Sequence, residues 1–235
     1  KSARAKVKGT KVKIRLGASS GEWKAMVADE AARTTFAKNI KTVLEKNKLD
    51  GIDLDFEWAE NEKEYKDYSL AILKMREVLG NKYLFSVSLH PVCYKISKEA
   101  IEAVDFISLQ CYGPSPVRFP IEKYCSDIQM VLEYGIPKEK LVAGVPFYGV
   151  TKDNSKKTEA YFNFVQNGLV TSPAQNEVIY QGDTYVFDGQ DNIRIKTRYA
   201  KEQKLKGMMS WDLATDLPLS DSRSLLKTMT EELRE

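Results

Sequence analysis

Short strand-like runs alternate with longer helix-like ones along most of the chain, and this alternation does most to limit how it can fold. The strand candidates are Val12–Leu16, Gly51–Trp58, Tyr83–Leu89, Phe106–Tyr112, Leu141–Phe147 and Gly207–Leu213. Between them apolar residues recur at helical spacing. Phe36, Ile40, Val43 and Leu44 do so within Trp23–Asn47, and Tyr65, Tyr68, Leu70, Ile72, Leu73 and Met75 within Glu60–Leu79. Cys125, Ile128, Val131 and Leu132 repeat the pattern in Ile121–Tyr134. A last helix is expected over Ser222–Leu233, with Asp221 as its cap. Strands joined by helical crossovers argue for an α/β fold on a parallel sheet. Phe106–Leu109 and Leu141–Phe147 are almost unbroken apolar runs, as strands covered on both faces should be.

Residues 151–206 break the rhythm, being too long for a plain crossover. Val178–Tyr180 and Thr184–Phe187 flank Gln181-Gly182-Asp183, so a small β-hairpin is expected there, ahead of a final crossover helix over Ile195–Gln203. No repeat, low-complexity tract or domain boundary is evident, and residues 1–235 are taken as one domain carrying this insertion. Six core strands are visible, whereas a closed (β/α)8 barrel has eight.

The most informative strand is Asp50-Gly51-Ile52-Asp53-Leu54-Asp55-Phe56-Glu57-Trp58. Apolar and acidic residues alternate, so Asp53, Asp55 and Glu57 share one face at spacings of about 6.6 Å. Mutual repulsion along such a row favours keeping a proton on one of its members, which suits a general acid. The same pattern also fits the solvated face of an edge strand, or a site for Ca²⁺ or Mg²⁺. Gly51 reads as a backbone requirement at the strand entry. Other polar or aromatic residues fall at strand C-terminal ends: His90, Tyr112, Tyr148 and Trp211. In a βα-barrel those ends form the active-site face. Composition alone would read Tyr112 and Trp211 as core aromatics.

The 36 basic and 33 acidic residues nearly cancel, leaving a net charge of +3. Apart from Lys1–Lys13, the basic residues fall on apparent helix surfaces, with no aromatic-interleaved patch for nucleic acid. No run approaches 18 apolar residues. Cys93, Cys111 and Cys125 form no CxxC pair and read as buried or half-buried thiols. A single histidine, His90, gives little support to a multi-histidine zinc site or a Ser-His-Asp triad.

Asp50-Gly51-Ile52-Asp53-Leu54-Asp55-Phe56-Glu57 resembles the DGxDxDxE signature of glycoside hydrolase family 18, the chitinase and endo-β-N-acetylglucosaminidase family. Further matches follow in family order. Val12–Ser20 weakly matches the third strand, with Gly17 as its surviving glycine. Phe106–Tyr112 is similar to the sixth strand, Leu141–Gly149 to the seventh, and Gly207–Asp212 to the eighth with its sugar-stacking tryptophan. The resemblance implies a (β/α)8 TIM barrel that begins near strand 3, strands 1 and 2 not being evident. It implies hydrolysis of β-1,4-linked N-acetylglucosamine glycans with retention, the substrate's own acetamido oxygen acting as nucleophile. Glu57 then serves as acid and base, Asp55 orients the acetamido N–H, and Asp53 couples to Asp55. Tyr112 donates to the acetamido oxygen and Trp211 floors the sugar, with Tyr148 and Gln110 as further substrate contacts. Gln110 and Gly113 depart from the MxYD motif of the sixth strand, and Val150 stands where many chitinases have arginine. These changes, with the small insertion, point to a shallower site. The resemblance implies no metal and no cofactor, no nucleic-acid partner, a monomer, and an extracytoplasmic or secreted location. The competing expectations are a carbohydrate-binding barrel without catalysis, against which the intact Glu57 weighs, and an endo-N-acetylglucosaminidase acting on N-glycan or peptidoglycan.

Overall fold

The computed structural model describes residues 12–19, 21–113, 119–153 and 157–234. Most of Lys1–Lys13 therefore lies outside the described residues. The described chain forms two compact units. The first runs to Ser88 and takes in Lys95–Asp105; the second comprises Leu89–Tyr94 and the residues from Phe106 on.

In the first unit, β1 (Arg15–Ala18), β2 (Gly51–Leu54) and β3 (Leu84–Leu89) run parallel with β2 in the middle. The register sets Gly17 and Ser86 on either side of Asp53. Gly51 is required by close approach, because a Cβ there would sit 1.9 Å from the Leu84 carbonyl oxygen. Ile52, Leu54, Phe85 and Val87 are buried on one side of these strands. The helices α1 (Trp23–Ala28), α2 (Glu30–Asn47) and α3 (Glu62–Leu79) bring aromatic side chains to Phe56, which follows β2. Trp23 stacks on it at 5.4 Å, Tyr68 lies at 5.4 Å and Phe36 at 6.0 Å.

The expected helix Trp23–Asn47 is broken at Asp29. That residue is extended, and its carboxylate accepts the Ala32 N–H at 2.7 Å, which starts a second helix. Asn61 caps α3 in the same way through the Glu64 N–H. A short helix absent from the sequence reading, α4 (Lys98–Ala103), is capped by Ser97. The strand over residues 51–58 is also shorter than expected, although the Asp55 N–H still donates to the Ala18 carbonyl at 2.9 Å.

In the second unit, β4 (Phe106–Leu109), β5 (Leu141–Pro146) and β10 (Gly207–Trp211) are parallel with β5 in the middle. All six residues of β5 are buried, as its apolar run predicts. Helix α5 (Ile121–Tyr134) has the expected bounds and ends at Gly135, whose φ of 111° needs no side chain. The expected hairpin forms as β8 (Glu177–Tyr180) and β9 (Asp183–Val186), within a larger sheet. Strands β6 (Tyr148–Thr151) and β7 (Thr158–Ala160) join it in the antiparallel order β7-β6-β9-β8, and α6 (Tyr161–Gln166) follows β7.

Helix α7 (Gln190–Glu202) begins five residues before the expected Ile195. It packs on α8 (Leu225–Arg234), where Gln190 donates to the Ser222 carbonyl and to Thr228 Oγ1, both at 2.9 Å. The expected Asp221 cap is corrected. Asp221 instead pairs with Arg223, which holds its carboxyl down at about 2, while Asp216 accepts the Leu225 and Leu226 N–H groups.

Candidate active site

The acidic row lies wholly in the first unit. Alternate residues Ile52, Leu54 and Phe56 are buried, while Asp53 and Asp55 are half-buried and Glu57 is exposed. The row thus runs outward, from a carboxylate held among strands to one open to solvent. Asp53 is gripped from both neighbouring strands. Arg15 Nη1 on β1 lies 3.1 Å from its Oδ1, Ser88 Oγ on β3 donates to Oδ2 at 2.7 Å, and Ser86 Oγ donates to Oδ1. Arg15 Nη1 also donates to Ser86 Oγ. Parallel pairing explains the convergence. Residues two apart share a face, so Arg15 lies on the face of Gly17, which pairs with Asp53, while Ser86 stands level with Asp53 and Ser88 two residues further on. The Glu57 carbonyl accepts the Trp23 indole N–H at 3.0 Å, which pins the backbone next to the outermost acid.

Beyond the row, Lys24 of α1 pairs with Glu60 and Glu64, each at 3.0 Å. Both partners raise its pKa, through hydrogen bonds first.

The aromatic candidates lie in the second unit. Tyr112, in the turn after β4, is 6% exposed and clusters with Phe119 and Val150, with Tyr148, Val186 and Met209 packed around them. Tyr148 meets Tyr112 edge-on at 6.4 Å and Phe119 at 6.3 Å. The ring of Tyr112 uses the space left by Gly144, where a Cβ would lie 2.9 Å from its Cε1. Gln110 is largely buried, and its N–H donates to the Leu89 carbonyl at 2.8 Å. Trp211 ends β10 beside Pro146 and is 55% exposed, far more than a core tryptophan. The structure therefore leaves Asp53, Asp55 and Glu57 less buried than the apolar residues between them and brings Tyr112 and Tyr148 into one cluster, with an open indole at Trp211.

Three residues that hold the row escaped the sequence reading: Arg15, Ser86 and Ser88. The two serines carry a signal, as the polar positions of an otherwise apolar strand with period two. Arg15 carries none, since nothing local distinguishes it from a surface cation. Cys93 and Cys111 are buried and Cys125 half-buried, with no disulfide among the described residues. Burial, followed by the Asp127 charge, pushes the Cys111 thiol up to about 12, which disfavours the thiolate. His90 is buried, its backbone bridged to Cys93. Among the described residues, no three His, Cys, Asp or Glu converge as a metal-binding group, and no helix is long and apolar enough to cross a membrane.

The family description "Glycosyl hydrolases family 18" matches residues 1–216. The chain is similar to a probable chitinase 2 of Drosophila melanogaster, 23% identical over 273 residues that cover 88% of this chain and 56% of that one. It spans about half the length of the curated relatives it matches. A solved chitinase from Bacteroides thetaiotaomicron superposes with a TM-score of 0.86 at 22% identity, covering 98% of this chain and 79% of that one. The chitinase-like agglutinin RobpsCRA from Robinia pseudoacacia gives 0.79 at 19% identity, covering 97% and 82%. At such identities the likeness is one of fold, the α/β barrel class expected from the strand–helix alternation.

Proposed function

The chain belongs to glycosyl hydrolases family 18, and from that premise we propose that it hydrolyses β-1,4-linked N-acetylglucosamine glycans with retention at the anomeric carbon. The observation that carries the reading is the acidic row, graded from the held Asp53 to the exposed Glu57. Glu57 protonates the departing glycosidic oxygen while the substrate's acetamido oxygen attacks C1, closing an oxazolinium ring. Glu57, now ionised, takes a proton from the water that reopens the ring. This departs from the scheme in which a second carboxylate is the nucleophile. Asp55 accepts from the acetamido N–H and faces the positive charge that develops, and Asp53 orients Asp55.

The resemblance gives Tyr112 a hydrogen bond to the acetamido oxygen and Trp211 the hydrophobic floor, and the exposure of that indole supports the second role. Tyr148 and Gln110 remain substrate-contact candidates. The same reading makes the protein an extracytoplasmic or secreted monomer that needs no metal or cofactor.

The agglutinin among the structural neighbours favours one other reading, a carbohydrate-binding barrel without turnover. A chromogenic chitobioside separates the two. Under the hydrolase reading the wild-type protein releases the chromophore, Glu57→Gln lowers kcat about 10²–10⁴-fold, and excess chelator changes nothing. Saturable chitooligosaccharide binding without release, unaltered by Glu57→Gln, would establish the lectin reading instead.

A further inference from the structure

We infer that Arg15 is a positioning residue for the acidic row: its guanidinium fixes Asp53 and cancels its charge, so that Asp55 works beside a neutral pair. This deepens the reading of the site given above and rests on it for its functional meaning, though not for its test.

The geometry carries the inference. Arg15 Nη1 and the Ser86 hydroxyl converge on Asp53 Oδ1, and the Ser88 hydroxyl takes Oδ2, so both oxygens are engaged by donors. The pair is partly enclosed, with 28% of the Arg15 side chain and 18% of the Asp53 side chain exposed. A bare row of three acids has only one another as charged neighbours. Here a cation enters the row from the adjacent strand, at the deep end.

Some other charges of the first unit have partners of their own. Asp50 accepts the Ile14 N–H at the entry of β2, and the Arg76–Asp105 pair sits at the Phe85 end of β3. Lys24 is paired with Glu60 and Glu64 beyond Glu57. On the inner side of Asp55 stands Asp53, and Arg15 Nη1 lies 3.1 Å from its Oδ1.

The consequence has a definite sign. A positive charge nearby favours an ionised carboxylate. Removing it while Asp53 stays leaves an anion without its cation two residues along the chain from Asp55. Asp55 then holds its proton to higher pH, by about one unit. Removing Asp53 while Arg15 stays does the opposite.

Carboxyl ¹³C titration of Asp-labelled protein tests this, with the Asp55 signal assigned by its loss in Asp55→Asn. Arg15→Gln should move the Asp55 midpoint up by about one pH unit, Asp53→Asn should move it down, and Arg15→Lys should leave it near wild type. Both limbs of the pH–rate profile should follow the same displacement in Arg15→Gln. An Asp55 midpoint that stays put in Arg15→Gln and Asp53→Asn, or moves the same way in both, overturns the inference. Should Arg15→Gln not fold, the double variant Arg15→Gln/Asp53→Asn decides: an Asp55 midpoint near wild type supports the inference, and one as low as in Asp53→Asn overturns it. Absence of chitobioside turnover by the wild-type protein would remove the hydrolase reading and leave the titration result standing.

Discussion

Two of the aspartate–cation pairs among the described residues look alike on paper and differ in kind. Arg15 and Asp53 meet at 3.1 Å with both side chains partly solvated, and the aspartate opens onto further acids. Lys196 and Asp188 meet at 2.6 Å with side chains 1% and 0% exposed, and Asn192 donates to the remaining aspartate oxygen. Around the second pair lie the rings of Phe119 and Tyr124, 5.9 and 5.5 Å from the ammonium. The first pair is placed to tune neighbours that titrate. The second is sealed, so its charges answer chiefly to each other. Burial pushes Asp188 above the usual carboxylate range, and Lys196 opposes that. An ion pair's role thus follows from what its carboxylate faces, more than from its length.

Breaking each pair from the aspartate side should separate these roles. Asp188→Asn strands a buried ammonium and should cost about 3–5 kcal/mol, read as a lowered midpoint in chemical denaturation. Lys196→Met should be gentler, and its penalty should depend on pH. Without the ammonium, Asp188 becomes a buried acid whose folded pKa lies above its unfolded value. Its stabilising contribution is then present below the unfolded pKa and lost as pH rises through the folded one. The gap from wild type should therefore narrow as pH falls toward 4. Thermal melts at pH 4 and 7 check this, and an equal gap at both would contradict it. Asp53→Asn should change stability least, by about 1 kcal/mol or less, yet still lower kcat. Denaturation and turnover measured on one preparation would show whether the two effects part.

How much of this the sequence discloses depends on whether a residue's partner leaves a local trace. Ile52, Leu54 and Phe56 alternate with Asp53, Asp55 and Glu57 because one side of β2 is buried, and burial on one side writes a period of two into the chain. Strand-forming runs such as Leu141–Pro146 are legible for a related reason, since cover on both sides leaves no polar residue. Arg15 and Lys196 are not legible. Both read as surface cations, and Lys196 in particular is corrected to a fully buried residue of α7. Their partners lie 38 and 8 residues away, and only folding brings the charges together. Tyr148 reads as the end of a barrel strand but opens β6 of the antiparallel sheet. Its strand pairs with residues on both sides that no local pattern announces.

In the proposed reaction the outermost acid of the row works together with the substrate's acetamido group. Early-time ¹H NMR of chitobioside hydrolysis, with the matching cellobioside in parallel, tests it most directly. The β-anomer should appear first and the cellobioside should stay intact. An α-anomer first, or comparable cleavage of both substrates, would contradict it.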